Sequence, residues 1–230
     1  ESDMTTNRNF KQMIEAQWAK GNFVCVGLDS EFNKITKYAL RSGNVGVENT
    51  IISFNRAIVE ATKDIVCAYK PNIAFYEAHG AEGISALQRT IVYIHAIASD
   101  VPVILDAKRA DIGSTNIGYV QFAFDYLQAD AITVHPYLGS EALQPFLECK
   151  DKGIIVLCRT SNPGAGEFQD IKVEMGPILV GTEPRYRPFY QIVALRVANK
   201  WNKNGNCALV VGATYPDELR EVREIVGDMP

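Results

Sequence analysis

Long apolar runs are missing from the 230-residue sequence. No stretch approaches the roughly 18 consecutive apolar residues that a membrane-spanning helix needs, so we expect no membrane partner. An excess of positive charge is also missing, since 23 Lys and Arg stand against 27 Asp and Glu, for a net charge of −4. This balance gives no general reason to expect nucleic acid or an anionic lipid surface as a partner.

Metal-binding and redox patterns are equally scarce. The three histidines are scattered, and no pair among the five cysteines has the spacing of a zinc site or a redox motif. Most of the cysteines lie in or beside apolar runs, which is typical of small buried side chains in a reducing compartment. The sequence therefore predicts no metal ion and a cytoplasmic location.

What the sequence does contain is a regular alternation of apolar runs and amphipathic segments. Six apolar runs predict strands at 23–29, 66–72, 102–108, 131–137, 153–160 and 208–214. Helical patterns follow them at 49–65, 80–99, 115–128, 140–150, 188–201 and 216–226. Runs that are apolar throughout are typical of parallel strands covered on both faces, and parallel strands need helical connections.

This alternation predicts an α/β fold, a TIM (β/α)8 barrel, with a doubly wound sheet as the alternative. No Gly-x-Gly-x-x-Gly follows the first apolar run, which disfavours a dinucleotide-binding version. A closed barrel of this kind needs eight strands, and six are present. We therefore expect residues 1–230 to form a single barrel domain whose seventh and eighth βα units are missing from this sequence. Truncation is the favoured explanation, and completion by another polypeptide is the alternative.

Charged residues gather where the third predicted strand ends, in "VILDAKRADIGSTN" (103–116). Barrel enzymes carry their chemistry at the C-terminal ends of their strands. Because side chains at i and i+2 share a face of a strand, Asp106 and Lys108 are predicted to point the same way, with Arg109 on the other face. Other predicted strands also end in polar residues, among them Asp29, Lys70, His135 and Ser161.

A lysine that lies between two carboxylates has a definite chemical character. Asp106 and Asp111 favour the protonated form of Lys108, which makes it a poor base and a suitable donor of a proton to carbon. A carboxylate beside it would repel an anionic group of a bound substrate. This pattern fits loss of carbon dioxide followed by protonation, although the same string also occurs on solvated turns.

The stretch 103–116 resembles the D-x-K-x-x-D-[I/V]-x-x-T signature of the orotidine 5′-monophosphate decarboxylase family. Further segments resemble the family in the same order: "VGLD" (26–29), "YKPNIAFYE" (69–77), "TVHPYLG" (133–139), "CRTSNPGAGEFQD" (158–170) and "LVVGATYPDEL" (209–219). Together they are similar to the longer bacterial branch of that family. The resemblance implies a carboxy-lyase that converts orotidine 5′-monophosphate into uridine 5′-monophosphate in pyrimidine biosynthesis, with no metal and no organic cofactor.

The resemblance also implies roles for individual catalytic residues. Lys108 would protonate C6 of the pyrimidine, and Asp106 would face the substrate carboxylate. Asp106 and Asp111 would hold Lys108 in place. Asp111 and Thr115 would reach the active site of the partner subunit, since the family forms homodimers with shared sites.

Substrate-binding roles are implied in the same way. Asp29 and Lys70 would bind the ribose hydroxyls, and Ser161 would bind the pyrimidine edge. Ile112 and Thr115 complete the predicted substrate-binding set.

The sequence departs from the family pattern at the phosphate site and leaves three points open. The family's Gly-rich phosphate segment after strand seven and its arginine after strand eight are not found. The segment 161–188 is predicted as a lid or, equally, as a structural insertion. A related sugar-phosphate decarboxylase or aldolase is one alternative function, although its magnesium would need an acidic residue where Lys70 stands. A catalytically inactive barrel that acts as a binding subunit is the other.

Overall fold

The structure is a computed structural model that describes residues 8–35, 46–176 and 185–230. The strands in these residues are β1 (Val24–Gly27), β2 (Val66–Lys70), β3 (Ile104–Arg109), β4 (Ala131–Val134), β5 (Gly153–Arg159), β6 (Lys172–Glu174), β7 (Tyr186–Pro188) and β8 (Cys207–Val211). Six of them are parallel: β1 pairs with β2, and β3, β4, β5 and β8 pair in that order. Isolated parallel bridges from Tyr69 to Val103 and from Asn72 to Asp106 join β2 to β3. The six strands predicted from the apolar runs are thus all present.

Helices connect the parallel strands. The helices that lie wholly within the described ranges are α1 (Phe10–Ala19), α2 (Val47–Thr62), α3 (Ala74–Glu77), α4 (Gly80–Ile97), α5 (Gly113–Val120), α6 (Gly139–Ala142), α7 (Gln144–Leu147), α8 (Gly166–Gln169), α9 (Phe189–Arg196) and α10 (Pro216–Val226), and residues 32–35 are also helical. A π-helical segment continues α5 over Gln121–Tyr126, and another continues α9 over Val197–Trp201.

The single helix predicted at 140–150 is wrong, because the structure has two short helices there, α6 and α7. The break has a local cause. Pro145 has no N–H to donate to the carbonyl of Glu141, so the helical hydrogen-bond ladder cannot run through this point. Pro145 instead lies in the first turn of α7, where a proline is tolerated.

The first helix, α1, was not predicted from the sequence. The side chain of Asn9 caps it by accepting a hydrogen bond from the N–H of Gln12 at 3.1 Å. Its buried residues Phe10 and Ile14 pack at the N-terminal ends of the strands. The ring of Phe10 lies against Gly153, where a Cβ would come within 2.3 Å of a ring carbon, so only glycine fits there.

The strands bury two faces. The outer faces pack against the helices in the larger hydrophobic cluster. The inner faces contribute a smaller cluster together with α1, which includes Ala68, Ile104, Ala131, Ile155 and Ala208. Side chains two residues further along the same strands share this inner face. Those next positions are Lys70, Asp106, Thr133, Leu157 and Val210.

The segment predicted as a lid or an insertion contains regular structure on both sides of residues 177–184, which lie outside the described residues. A 3-10 turn over Pro163–Ala165 and α8 are followed by an antiparallel hairpin of β6 and β7. The segment is attached to the end of β5: Arg159 pairs with Asp170 at 3.1 Å, and Gln169 accepts a hydrogen bond from the N–H of Thr160 at 2.8 Å. The part of the segment next to β5 is therefore tied to the strand end.

Candidate active site

Asp106 lies at the centre of the charged cluster on the inner face, and it is only 7% exposed. Its Oδ1 atom accepts hydrogen bonds from Lys108 Nζ at 2.7 Å and from Thr133 Oγ1 at 2.8 Å. Its Oδ2 atom lies 3.3 Å from Lys70 Nζ. Three neighbouring strands therefore deliver two cations and one hydroxyl to a single carboxylate.

These partners decide the charge state of the carboxylate. Burial works to raise the pKa of Asp106, but the hydrogen bonds from Lys108 and Thr133 and the charge of Lys70 outweigh it, so the net shift is downward. Asp106 is thus a fixed negative charge at neutral pH. Lys108, whose side chain is half exposed, faces solvent on one side and this charge on the other.

The backbone of β3 is distorted where it carries the cluster. Leu105 pairs with Ile132 and Arg109 pairs with Val134, so four residues of β3 advance while β4 advances by two. Lys108 has a φ of 49°, in the left-handed region that non-glycine residues rarely adopt. The contact between Asp106 and Lys108, expected from plain strand alternation, therefore arises from a β-bulge.

Arg109 leaves the cluster, as the sequence predicts. It forms an ion pair with Glu77, and its guanidinium lies 5.4 Å from the ring centroid of Tyr119. His135, which also stands at a strand end, holds the backbone: its Nε2 atom lies 3.0 Å from the carbonyl oxygen of Ala110. Both side chains thus support the loop after β3.

A cavity of about 430 Å³ opens beside Lys108 at the C-terminal ends of the strands. This volume lies within the range of small-molecule sites. Ser161 lines the same cavity, so two of the predicted site residues meet there. The remaining lining residues are Leu157, Thr160, Asn162, Gln169, Val210 and Gly212.

The loop after β3 carries Asp111 and Ile112, and α5 begins directly after it and carries Thr115. Asn116, which is fully buried, accepts a hydrogen bond from the N–H of Asp111 at 2.8 Å and donates to the carbonyls of Asp111 and Ala142, both at 2.6 Å. Among the described residues, Lys108 forms an ion pair with Asp106 and none with Asp111. Asp111, on the loop, and Thr115, in the first turn of α5, therefore lie beside the Lys108–Asp106 pair and are not part of it.

Asp29 follows β1, where the N–H of Leu28 bonds to the carbonyl of Lys70 at 3.2 Å. Asp29 and Lys70 therefore stand at neighbouring strand ends. Asp29 is exposed, and Lys70 is partly buried beside Asp106.

Two residues of the site were not predicted from the sequence. Thr133 shares its strand face with Ala131 and His135, and this period-two spacing was the available signal. Gly212 follows β8, and its N–H bonds to the carbonyl of Arg159 at 2.7 Å. A Cβ at position 212 would lie 2.9 Å from the Cβ of Ser161, so a glycine is needed for the close approach of the two strand ends.

The described residues contain no group of three His, Cys, Asp or Glu side chains arranged to hold a metal ion. Over the same part of the chain, every helix is too short or too polar to cross a membrane. The fold and the site together define an α/β-barrel enzyme, with a lysine and a buried carboxylate paired at the C-terminal ends of its strands.

Comparison with known proteins gives the family. The model of the orotidine 5′-phosphate decarboxylase / HUMPS family matches residues 23–228, and the chain belongs to this family. Orotidine 5′-phosphate decarboxylase of Ralstonia nicotianae is 47% identical over 222 residues, which are 96% of this chain and 75% of that protein. The enzyme of the same name from Cellvibrio japonicus is 42% identical over 223 residues, 96% of this chain and 76% of the relative.

A solved structure agrees with these relatives. The structure of Leishmania donovani OMP decarboxylase superimposes with a TM-score of 0.79 at 38% identity, covering 96% of this chain and 77% of that one. The TIM (β/α)8-barrel class predicted from the sequence is confirmed, and the doubly wound alternative is wrong.

Proposed function

We propose that this chain decarboxylates orotidine 5′-monophosphate to uridine 5′-monophosphate, a step of pyrimidine biosynthesis, with Lys108 as the proton donor to C6. The relatives that share 42–47% of its residues are named for this activity. The observation that carries the proposal is the contact of 2.7 Å between Lys108 Nζ and Asp106 Oδ1 at the cavity. It provides a proton donor beside a fixed negative charge.

The chemistry follows from this pair. The C6–carboxylate bond breaks, carbon dioxide leaves, and the electron pair that remains on C6 takes the proton from Lys108. Asp106 stays ionised beside the substrate carboxylate and repels it, whereas that repulsion disappears as carbon dioxide leaves. Lys108 and Lys70 stabilise the negative charge that develops, and the site is organised for this before the substrate binds. No metal and no organic cofactor enter the proposed reaction.

Substrate-binding roles are proposed for residues around the same cluster. Asp29 and Lys70 bind the ribose hydroxyls, which is supported by their positions at neighbouring strand ends. Ser161 binds the pyrimidine edge, supported by the cavity that it shares with Lys108. Ile112 completes the substrate site.

The active unit is proposed to be a homodimer in which Asp111 and Thr115 complete the partner's site. Large apolar side chains are exposed on the two loops beside these residues, with Ile112 at 62% and Tyr137 at 80% exposure. Such exposure on neighbouring loops is typical of a surface that another chain covers. The proposed location is the cytoplasm, supported by five cysteines that are all unpaired.

The domain is proposed to be one barrel closed by two further βα units that bring the phosphate-binding residues. Among the described strands, β1 pairs only with β2, and β8 pairs only with β5. Val24 in β1 is 59% exposed, which is unusual for a barrel strand. A free edge of this kind invites pairing with another strand.

One assay tests the proposed activity together with the two alternatives, a related sugar-phosphate enzyme and a catalytically inactive barrel. The full-length protein is incubated separately with orotidine 5′-monophosphate and with a sugar phosphate, each with EDTA or with added magnesium, and the loss of each substrate is followed. Turnover that EDTA leaves unchanged is expected. Turnover of a sugar phosphate only, and only with added magnesium, would instead support the related sugar-phosphate enzyme. No turnover of either substrate by folded protein would support the inactive barrel.

A further inference from the structure

The side chain of Thr133 connects the two strands on which the site is built. It is 2% exposed and lies on the inner face of β4. Its hydroxyl accepts hydrogen bonds from the N–H groups of Ala107 at 3.0 Å and Lys108 at 2.9 Å, and it donates to Asp106 Oδ1 at 2.8 Å. One donor and two acceptor positions are the full capacity of a hydroxyl.

The bulge in β3 explains why these bonds matter. The regular ladder between β3 and β4 is interrupted between Leu105 and Arg109. Buried N–H groups inside such an interruption need another acceptor, and Thr133 supplies it for both. Lys108 holds a φ of 49°, a conformation that persists only where its surroundings enforce it.

The bond to Asp106 orients the carboxylate. Oδ1 is occupied by Lys108 and Thr133, and Oδ2 lies toward Lys70. Both lysines have long, flexible side chains, so ion pairs with them alone leave the carboxylate partly free to rotate about its Cβ–Cγ bond. The additional bond from Thr133 fixes the plane of the carboxylate and, with it, the position of the Lys108 ammonium.

We propose that Thr133 is a positioning residue of the decarboxylation reaction, which holds the bulge that aims Lys108 and orients the Asp106 carboxylate. This inference rests on the proposed function. Thr133 acts through Lys108 and Asp106, and it is not itself proposed to touch the substrate.

The test compares three variants of the full-length protein. Thr133→Val keeps the shape and removes the hydroxyl, whereas Thr133→Ser keeps the hydroxyl. Thr62→Val is the matched control, because it likewise removes a hydrogen-bonded hydroxyl. The Thr62 hydroxyl makes two hydrogen bonds, to Ile58 O at 2.7 Å and Tyr69 Oη at 2.9 Å, and it lies on α2, at the side of β2 away from the cluster.

We expect Thr133→Val to lower kcat about 10- to 100-fold, the loss that follows when a hydrogen bond to a charged group is removed from a reacting site. KM should change less than kcat. Thr133→Ser should recover most of the activity, and Thr62→Val should leave kcat unchanged. A Thr133→Val enzyme with wild-type kcat, or a Thr133→Ser enzyme as impaired as Thr133→Val, would overturn the proposal.

The pH profile gives a readout that a general loss of stability would not move. The groups that face Asp106 are Lys108, Lys70, Thr133 and, from β1, Cys25. Loss of the Thr133 bond removes one cause of the low pKa of Asp106. The acid limb of the kcat profile should therefore move to higher pH in Thr133→Val and stay in place in Thr133→Ser.

Crystal structures of the variants separate this inference from the proposed function. In Thr133→Val, the φ of Lys108 should leave the left-handed region or Lys108 Nζ should move out of hydrogen-bond distance of Asp106. In Thr133→Ser, both features should remain. If Thr133→Val does not fold, Thr133→Ala takes its place. An unchanged bulge in the variant without a hydroxyl would refute the positioning role, whatever reaction the wild-type protein catalyses.

Discussion

Asp130 allows a quantitative prediction about acid stability, at the end of the barrel opposite the candidate site. The residue is fully buried and directly precedes β4. Arg8 binds it with two hydrogen bonds of 2.8 Å, the N–H of Val103 adds a third at 2.8 Å, and His95 Nε2 lies 3.5 Å from Oδ2. Burial works to raise the pKa of Asp130, but the hydrogen bonds from Arg8 and the nearby His95 ring outweigh it and lower the pKa from 3.8 to about 2.

The sign and size of the effect follow from this lowered pKa. A carboxyl group whose pKa is lower in the folded state stabilises the fold above its unfolded pKa, and that contribution is lost as the pH falls through the folded pKa. A decrease from 3.8 to about 2 corresponds to roughly 2 kcal/mol of stability at neutral pH, with about 1 kcal/mol of it already lost at pH 3.

The assay is urea unfolding of the wild type and of Asp130→Asn at pH 6 and pH 3. Asp130→Asn should be less stable at pH 6, because it leaves the Arg8 charge without its partner. The stability difference between the two proteins should shrink by about 1 kcal/mol at pH 3, while the other carboxyl groups cancel in the comparison. Asp217→Asn, which breaks the exposed pair with Arg220, is the control and should show little effect at either pH. A difference that stays constant between pH 6 and pH 3 would refute the reasoning.

Two further predictions concern the site itself. Gly212→Ala should raise KM about 10-fold or more while kcat changes less, because the new Cβ would lie 2.9 Å from the Cβ of Ser161 and displace it. Gly118→Ala, whose new Cβ meets nothing within 4 Å, is the control, and equal KM values for both variants would contradict the prediction. If Asp111 acts in the partner's site, mixing inactive Asp111→Ala and Lys108→Ala subunits should restore about a quarter of the wild-type activity, since half of the dimers are then mixed and each holds one intact site. A mixture whose subunits have exchanged completely between dimers and which still has no activity would rule out shared sites.

The sequence predicts the parts of this structure that depend on local pattern. Most of the apolar runs form parallel strands that are buried on both faces, and β1 is the exception, with Val24 59% exposed. The positions of Asp106 and Lys108 at the end of one such run predict that they lie together, although their contact depends on the bulge in β3. The helix α1 could not be predicted in this way. Its buried residues Phe10 and Ile14 stand among polar residues, and their burial depends on the inner faces of distant strands. The sequence of residues 10–19 by itself contains no information about those strands.

In the candidate site, too, some features follow from local sequence and others depend on contacts between distant strands. The motif identifies Asp106 and Lys108, but the bulge that orients them depends on the register between β3 and β4. The period-two spacing places Thr133 on the inner face in "AITVHPY", but nothing in that spacing marks its role, and His135 is the more conspicuous residue. Gly212 is similar, because the need for glycine arises only when the ends of β5 and β8 approach each other.

The central claim of this account is that Lys108 supplies the proton to C6, and decarboxylation by Lys108→Ala tests it most directly. The variant should keep the thermal stability of the wild type, because Lys108 is half exposed, and should retain far less than a tenth of the wild-type kcat. Lys63→Ala, which removes a partly exposed lysine paired with Glu60 and far from the site, should keep full activity. A folded Lys108→Ala enzyme with more than about a tenth of the wild-type kcat, a barrier change of less than roughly 1.4 kcal/mol, would contradict the claim.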